Sequence, residues 1–157
     1  MAGIGFDARV ISEIKPEMKR WLKDLAYPLT GIRTLFTYKP TLLRIKLDNE
    51  IIQGYFVIIG NARYYGGRFS VTKEAQINDG LLDVCIFTGK TAASFVRYFQ
   101  GVITGSHLKM ADVSYYRAGD IEITSEEPVL VQADGDVIGQ TPMEFKAAPR
   151  ALDVLVP

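Results

Sequence analysis

Hydrophobic spacing changes from a helical to a strand period near Pro40, and that change limits the folds open to this 157-residue chain. Between Pro16 and Phe36, apolar residues recur at the spacing of an amphipathic helix. From Leu43 to Leu47, apolar and basic residues alternate, which is the period of a half-buried strand. Helical spacing returns only between Thr91 and Thr104, so most of the chain is predicted to be β structure.

The N-terminal helical pattern has a basic face and contains a proline. Pro28 would remove a hydrogen bond from a helix interior, so we expect a break near Tyr27 and two shorter helices. A basic amphipathic helix can cover a sheet or lie on an anionic membrane surface, and covering a sheet is the commoner use. Thr88 or Thr91 is expected to cap the later helix.

Turn residues divide the remaining sequence into short strands. Asp48 and Asn49 predict a hairpin turn, and residues 54–59 and 81–87 are almost entirely apolar, as in strands buried on both faces. From Val113 onward, short strands alternate with turns. We therefore predict one domain over residues 1–157, mainly β, built as a β-sandwich with two or three edge helices.

Composition excludes several classes of protein. Eighteen basic residues balance eighteen acidic ones, so no positive surplus is available to neutralise nucleic-acid phosphates, and no nucleic-acid partner is expected. Cys85 is the single cysteine, which rules out a disulfide within the chain and favours a reducing compartment with this thiol buried and inert. The sequence contains no apolar span of membrane length and no secretory signal pattern. We expect a cytoplasmic protein.

An acidic turn precedes the apolar run at residues 81–87. Asp79 stands before Gly80, where its carboxylate could simply cap backbone amides of the turn. It could also bind a hard cation such as magnesium or calcium, together with the backbone carbonyls of Gln76 and Leu81. Asp83 lies further along the strand, where it could contribute to this site or be solvated.

A second acidic turn, Asp134-Gly135-Asp136, follows a short apolar strand and predicts a hairpin. Turn formation accounts for the first two residues and leaves Asp136 unexplained. At the start of the return strand, its carboxylate could act as a general base on a substrate hydroxyl.

Other catalytic patterns are missing from the sequence. His107, the sole histidine, has no defined partner for a catalytic triad and is interpreted as a solvated loop residue. The Gly3-Ile4-Gly5 segment lacks the third glycine and the βαβ context of a dinucleotide fingerprint. The chain has no Walker loop and no Gly-Gly-Asp-Gly-Thr segment.

Taken in order, four motifs resemble those of bacterial diacylglycerol kinase-like lipid kinases, relatives of sphingosine kinases and, more distantly, of NAD kinases. The resemblance extends over the whole chain and is carried by residues 2–8, 60–67, 78–84 and 134–136. It implies the C-terminal β-sandwich domain of a two-domain kinase whose N-terminal domain holds ATP through Gly-Gly-Asp-Gly-Thr. This chain is expected to be that C-terminal half, without the ATP-binding domain.

The resemblance also implies roles for particular residues. Asp79 with the carbonyls of Gln76 and Leu81 matches a structural magnesium site of the family. Asp136 matches a glutamate proposed to deprotonate the lipid hydroxyl, and its side chain is one methylene shorter. Arg68 stands where a third glycine is common after Gly66-Gly67 in the family.

Two functions remain open from the sequence. The first is the lipid-acceptor domain of an ATP-dependent lipid kinase, inactive by itself, which would act on a diacylglycerol-like alcohol. The alternative is a non-catalytic lipid-binding or regulatory β-sandwich. Either function allows peripheral contact with the inner membrane face, and an apolar sandwich edge could pair with a second copy as a homodimer.

Overall fold

The structure, a computed structural model, describes residues 1–14, 26–64 and 69–151. The described residues form ten strands: β1 Ala2–Ile4, β2 Leu43–Leu47, β3 Glu50–Gly54, β4 Phe56–Gly60, β5 Leu82–Phe87, β6 Val113–Ala118, β7 Asp120–Ser125, β8 Leu130–Ala133, β9 Asp136–Gln140 and β10 Met143–Lys146. They also form three α-helices and one 3-10 turn: α1 Phe6–Glu13, α2 Ala26–Thr37, α3 Ala92–Thr104 and the turn His107–Lys109.

The strands form two antiparallel sheets, as the predicted sandwich requires. One sheet has six strands in the order β6-β5-β4-β1-β8-β9, and the other has four in the order β10-β7-β2-β3. Single residues carry the chain between the sheets, Tyr55 from β3 to β4 and Gly119 from β6 to β7. The predicted strand over residues 54–59 is therefore two strands, because Gly54 ends β3 before the chain crosses to the other sheet.

Strands β4 and β5 of the six-stranded sheet are buried on both faces. Successive side chains in a strand point to opposite faces, so β4 and β5 each contribute to two cores. Their inner residues pack in the sandwich, and their outer residues pack under the helices: Val57, Ile59, Val84 and Ile86 inside, and Phe56, Ile58, Cys85 and Phe87 outside. The continuous apolar runs of the sequence are explained by this double burial.

Helices cover the outer face of the six-stranded sheet. Phe95 and Tyr98 of α3 are buried against it, and Phe6 and Tyr38 pack beside them. Thr91 caps α3 as predicted, because its Oγ1 accepts a hydrogen bond from the Ser94 amide at 3.2 Å. The predicted sandwich with two or three helices is confirmed, and all three described helices belong to this layer.

The first helical prediction is confirmed in part. Within the described residues α2 begins at Ala26, so the predicted break near Tyr27 lies at the border of residues 15–25, which are outside the description. Pro28 stands in the first turn of α2 as described, where a missing amide hydrogen costs little. The sequence analysis missed α1, which is only eight residues long. None of the helices in the described ranges has the length and apolar content needed to traverse a bilayer.

Candidate functional site

Both acidic turns lie at the same end of the six-stranded sheet. In β5, Asp83 pairs with Gly60 at the end of β4. At the same end of the sheet, Ala2 of β1 pairs with Ile59 of β4 on one side and with Ala133 of β8 on the other. Ala133 in turn faces Asp136 of β9. The strand pairing therefore brings distant parts of the sequence into one row.

The row is too long for the two turns to form one site. Four strand spacings separate β5 from β9, which is about 19 Å at about 4.8 Å per spacing. Asp79, just before β5, and Asp136, at the start of β9, thus occupy separate positions at this end of the sheet. They could not ligate the same ion.

Asp136 is exposed beside a tight hairpin turn. The turn is formed by Asp134 and Gly135, which have φ angles of 48° and 94°, as expected for a two-residue hairpin. The predicted hairpin is confirmed, and its geometry does not depend on the carboxylate of Asp136. That carboxylate is open to solvent at the sheet end. Its role as a general base stays a prediction.

A buried glutamine ties this turn to α1. Gln132 is fully buried in β8, and its Nε2 donates to Oδ2 of Asp7 in the first turn of α1 at 2.6 Å. The amide of Gly135 donates to Oε1 of the same glutamine at 3.0 Å. Since both ends of the Gln132 amide are engaged, the hairpin turn is fixed relative to the helix.

The glycines near the N-terminus make room for this network. A Cβ added at Gly3 would lie 2.3 Å from Oδ2 of Asp7 and 2.8 Å from Nε2 of Gln132, so only glycine fits beneath their hydrogen bond. Gly5 has φ of 100°, a conformation that favours glycine, immediately before α1. Sequence reasoning excluded a dinucleotide-binding role for these glycines and missed their structural role, because their contact with Gln132 joins residues far apart in the sequence.

Asp79 has the local contact expected of a turn carboxylate. Its Oδ1 accepts a hydrogen bond from the Leu81 amide at 2.9 Å, and Gly80 between them has φ of 77°. No group of three His, Cys, Asp or Glu side chains suited to a metal occurs among residues 1–14, 26–64 and 69–151. A cation at this turn would therefore depend on Asp79 and on carbonyls such as those of Gln76 and Leu81. Such an oxygen-only donor set fits magnesium.

Asp83 is buried, so the expectation that it could be a solvated strand residue is wrong. It lies on the same face of β5 as Cys85, and Tyr115 donates a hydrogen bond to its Oδ1 at 2.6 Å. Its Oδ2 has no hydrogen-bond partner among the described residues. Burial raises the pKa of Asp83 above its usual value, whereas the hydrogen bond from Tyr115 acts to lower it.

His107 is also buried, which corrects its interpretation as a solvated loop residue. It begins the 3-10 turn after α3, and its Nε2 donates to the Val71 carbonyl at 2.8 Å. The prediction that Cys85 is buried is confirmed, and burial raises the pKa of its thiol to about 12. A thiol with this pKa is a poor nucleophile at neutral pH.

Comparison with known proteins assigns the fold to a family. Residues 1–156 match the family described as the YegS C-terminal NAD kinase β-sandwich-like domain. The chain belongs to this family. The β-sandwich in the family's description agrees with the two antiparallel sheets of this structure.

Relatives of this YegS C-terminal domain carry kinase names. A diacylglycerol kinase of Bacillus subtilis (strain 168) is 27% identical over all of this chain and 52% of its own length. A diacylglycerol kinase of Mycobacterium tuberculosis (strain CDC 1551 / Oshkosh) is 30% identical over all of this chain and 51% of its own length. The chain spans about half the length of these curated relatives.

A solved structure supports the same assignment. A diacylglycerol kinase from Bacillus anthracis str. Sterne superposes with a TM-score of 0.63 at 25% identity, and the match covers 92% of this chain and 47% of that one. The predicted resemblance to bacterial diacylglycerol kinase-like proteins is therefore confirmed.

The buried carboxyl of Asp83 predicts how stability depends on pH. Because its pKa is raised in the folded state, the unfolded chain loses this proton first, and folding stability falls as pH rises from about 4 through the folded pKa. Asp83→Asn should remove this decline. Urea unfolding of the wild type and of Asp83→Asn between pH 4 and pH 7 measures the decline. If stability depends on pH equally in both proteins, the raised pKa of Asp83 is contradicted.

Tyr115→Phe is the matched variant for this measurement. It removes the hydrogen bond that lowers the pKa of Asp83 while keeping the ring. The decline in stability should then extend to higher pH and be larger than in the wild type, because the carboxyl of the folded chain stays protonated to higher pH while the pKa in the unfolded chain is unchanged.

Proposed function

We propose that the protein containing this YegS C-terminal domain transfers the γ-phosphoryl group of ATP to the hydroxyl group of a lipid. The observation that carries the proposal is the exposed carboxylate of Asp136, which the hairpin does not require and which follows a turn anchored by Gln132. The kinase names of the relatives support the reaction type. The acceptor class is a lipid alcohol of the diacylglycerol type.

In this mechanism Asp136 acts as the general base. Its carboxylate accepts the proton of the lipid hydroxyl as the hydroxyl oxygen bonds to the γ-phosphorus of ATP, and the bond from phosphorus to the bridging oxygen breaks to release ADP. The domain contributes positioning and the proton acceptor. No phosphate-binding glycine loop occurs in this sequence, so ATP would be held by another part of the protein.

These separate roles in lipid binding and ATP binding imply a two-domain arrangement. Residues 1–157 would form the C-terminal, lipid-acceptor half of a two-domain kinase, with an N-terminal ATP-binding domain as the other half. The chain alone is then expected to lack phosphotransfer activity. The relatives, which are about twice as long as the matched region, are consistent with this arrangement.

We further propose that the turn at Asp79 holds a structural magnesium ion. One carboxylate and the carbonyls of Gln76 and Leu81 would supply its protein ligands, and the ion would stabilise the entry to β5. Because this ion would lie far from Asp136, it would take no direct part in proton transfer.

A second candidate function is a lipid-binding or regulatory module without catalysis. The shorter side chain at position 136, aspartate where the family commonly has glutamate, favours it. The upstream sequence discriminates between the two, because a Gly-Gly-Asp-Gly-Thr region supports the kinase and its absence supports the binding module. We propose a cytoplasmic location, with contact at the inner membrane face when lipid is bound, and a homodimer stays a prediction.

The general-base role is tested by Asp136→Asn in the full-length protein. This variant keeps the size of the side chain and removes its basicity, so turnover at saturating lipid and ATP should fall by roughly 10²- to 10⁴-fold. Asp134→Asn is the matched control, because asparagine tolerates the positive φ at that position and turnover should stay near the wild-type value. Full turnover in Asp136→Asn would refute the base assignment.

The magnesium proposal is tested by thermal unfolding. An ion that binds only the folded chain raises its melting temperature, so added magnesium should stabilise the wild type, and Asp79→Ala should abolish the increment. Asp136→Ala, at the same end of the sheet, should keep the response. An unchanged response in Asp79→Ala would place the ion elsewhere.

A further inference from the structure

Asp136 begins β9, an edge strand of the six-stranded sheet, and in the described sheet β9 pairs with β8 alone. The register between these strands shifts between Val131 and Gln132, which leaves Ile138 as the extra residue of a β-bulge. The bulge separates Asp136 and Val137 from the rest of the ladder. The position of the Asp136 carboxylate therefore depends on the hairpin turn that precedes it.

Two successive amides of that turn are held by groups outside it. The Asp134 amide donates to the carbonyl of Met1 at 3.0 Å, and the Gly135 amide donates to Oε1 of Gln132 at 3.0 Å. The first bond joins two main-chain groups. The second depends on a single side chain, and it holds the residue immediately before Asp136. A change in that side chain would thus act on the place of the carboxylate.

Asp7 determines the orientation of the Gln132 amide. A carboxylate only accepts hydrogen bonds, so Nε2 must face Asp7, to which it donates at 2.6 Å, and Oε1 is left to face the Gly135 amide. Gln132 is fully buried, so water does not compete for either bond. We call this connection from Asp7 through Gln132 to Gly135 the amide bridge.

The amide bridge ends on an anchored helix. Asp7 lies in the first turn of α1, and Ala8 beside it is fully buried. The Gly5 amide, just before the helix, donates to the carbonyl of Leu130 in β8 at 3.1 Å. The start of α1 is thereby attached to the same strand that carries Gln132, which makes Asp7 a fixed acceptor.

Gly3 leaves the space that the amide bridge occupies. It pairs in register with Gln132 across β1 and β8. An added Cβ would lie 2.3 Å from Oδ2 of Asp7 and 2.8 Å from Nε2 of Gln132. Both atoms are at the ends of side chains, so a methyl group here would displace the bridge and leave the strands paired.

We propose that Gln132 is a positioning residue for Asp136. By holding the Gly135 amide, it keeps the turn where the carboxylate of Asp136 reaches the lipid hydroxyl. The inference rests on the proposed function, in which Asp136 is the general base. Without the amide bridge, the turn is tied to the sheet by main-chain bonds of an edge strand beside a bulge. A displacement of about 1 Å is enough to slow a chemical step by about 10²-fold.

Kinetics of the full-length protein test the positioning role. Gln132→Met removes the amide bridge at similar side-chain size, and Gly3→Ala displaces it. Both variants should lower kcat, by up to about 10²-fold, and leave the KM for ATP unchanged, because misplacement of the base affects the chemical step.

Two matched controls separate positioning from loss of stability. Thr141→Val removes a buried hydroxyl near the other end of β8, where it accepts a hydrogen bond from the Val129 amide at 3.0 Å. This variant should lower stability and keep the wild-type kcat. Gly119→Ala should also keep it, since an added Cβ there meets nothing within 4 Å.

An exchange of the two polar groups tests the amide bridge itself. Gln132→Glu places a second carboxylate against that of Asp7, and their repulsion should lower kcat as Gln132→Met does. Asp7→Asn alone keeps the contact, because its amide oxygen accepts from Nε2 of Gln132. In the Asp7→Asn background the new carboxylate faces an amide donor, so Gln132→Glu should leave kcat close to that of Asp7→Asn. An equal cost of Gln132→Glu in both backgrounds overturns the proposal.

Hydrogen exchange reports on the turn independently of turnover. The Gly135 amide should exchange at least about tenfold faster in Gln132→Met than in the wild type, since its acceptor is lost. Deuterium uptake of a peptide that spans the turn measures this rate, and Thr141→Val should match the wild type. Unchanged uptake in Gln132→Met would show that the amide bridge does not hold the turn, and would reject the inference.

The outcomes distinguish this inference from the proposed function. If Asp136→Asn is slow while Gln132→Met and Gly3→Ala keep the wild-type kcat, the positioning role is wrong and the general base stands. A parallel loss of kcat and of ATP affinity would indicate wider damage and would equally reject it. If Asp136→Asn turns over normally, the proposed function fails, and the positioning role falls with it at any exchange rate of the Gly135 amide.

Discussion

Burial of β4 and β5 on both faces is the constraint from which the other features follow. Their alternate side chains belong to two cores, one between the sheets and one beneath the helices. The stacked rings of Phe56 and Phe87, 5.0 Å apart, join the two strands on the helix side. Because the apolar outer face of β4 and β5 must be shielded from water, helices pack on it. The side of these helices that points away from the sheet then forms an outer surface of the domain.

The pairing of these strands with their neighbours also determines which residues lie together at one end of the six-stranded sheet. Antiparallel registers determine which residues meet, so the starts of β1, β5 and β9 and the ends of β4 and β8 form one row, although they come from distant parts of the sequence. Separation along this row keeps the solvent-exposed carboxylate of Asp136 apart from the carboxylate of Asp79, which lies in a tight turn. One fold can thereby support two independent chemical roles.

Local patterns predicted much of this architecture. Alternation at residues 43–47, apolar runs and glycine-containing turns are set by neighbours in sequence, and the strands, hairpins and Thr91 cap followed from them. The burial of β4 on both faces was implied by its sequence, in which apolar and polar residues do not alternate. Asp134 and Gly135 were placed correctly because their turn chemistry is local.

The remaining features depend on contacts between distant residues. Asp83 and His107 look like solvated polar residues in sequence, yet Tyr115 and the Val71 carbonyl supply partners from other segments and allow their burial. Gln132 gave no signal, because Asp7 lies 125 residues away. Spacing within the sequence cannot reveal such pairs, and the candidate site was predicted less completely than the fold for that reason.

Cys85 gives this layered construction a further property. The thiol sits on the helix side of β5, so it is shielded by the helices rather than by the second sheet. Reagents would reach it when the helix layer lifts from the sheet, even while the sandwich between the sheets stays closed. The chain therefore carries a single natural probe that reports motion of its helical cover separately from unfolding of its β-sandwich.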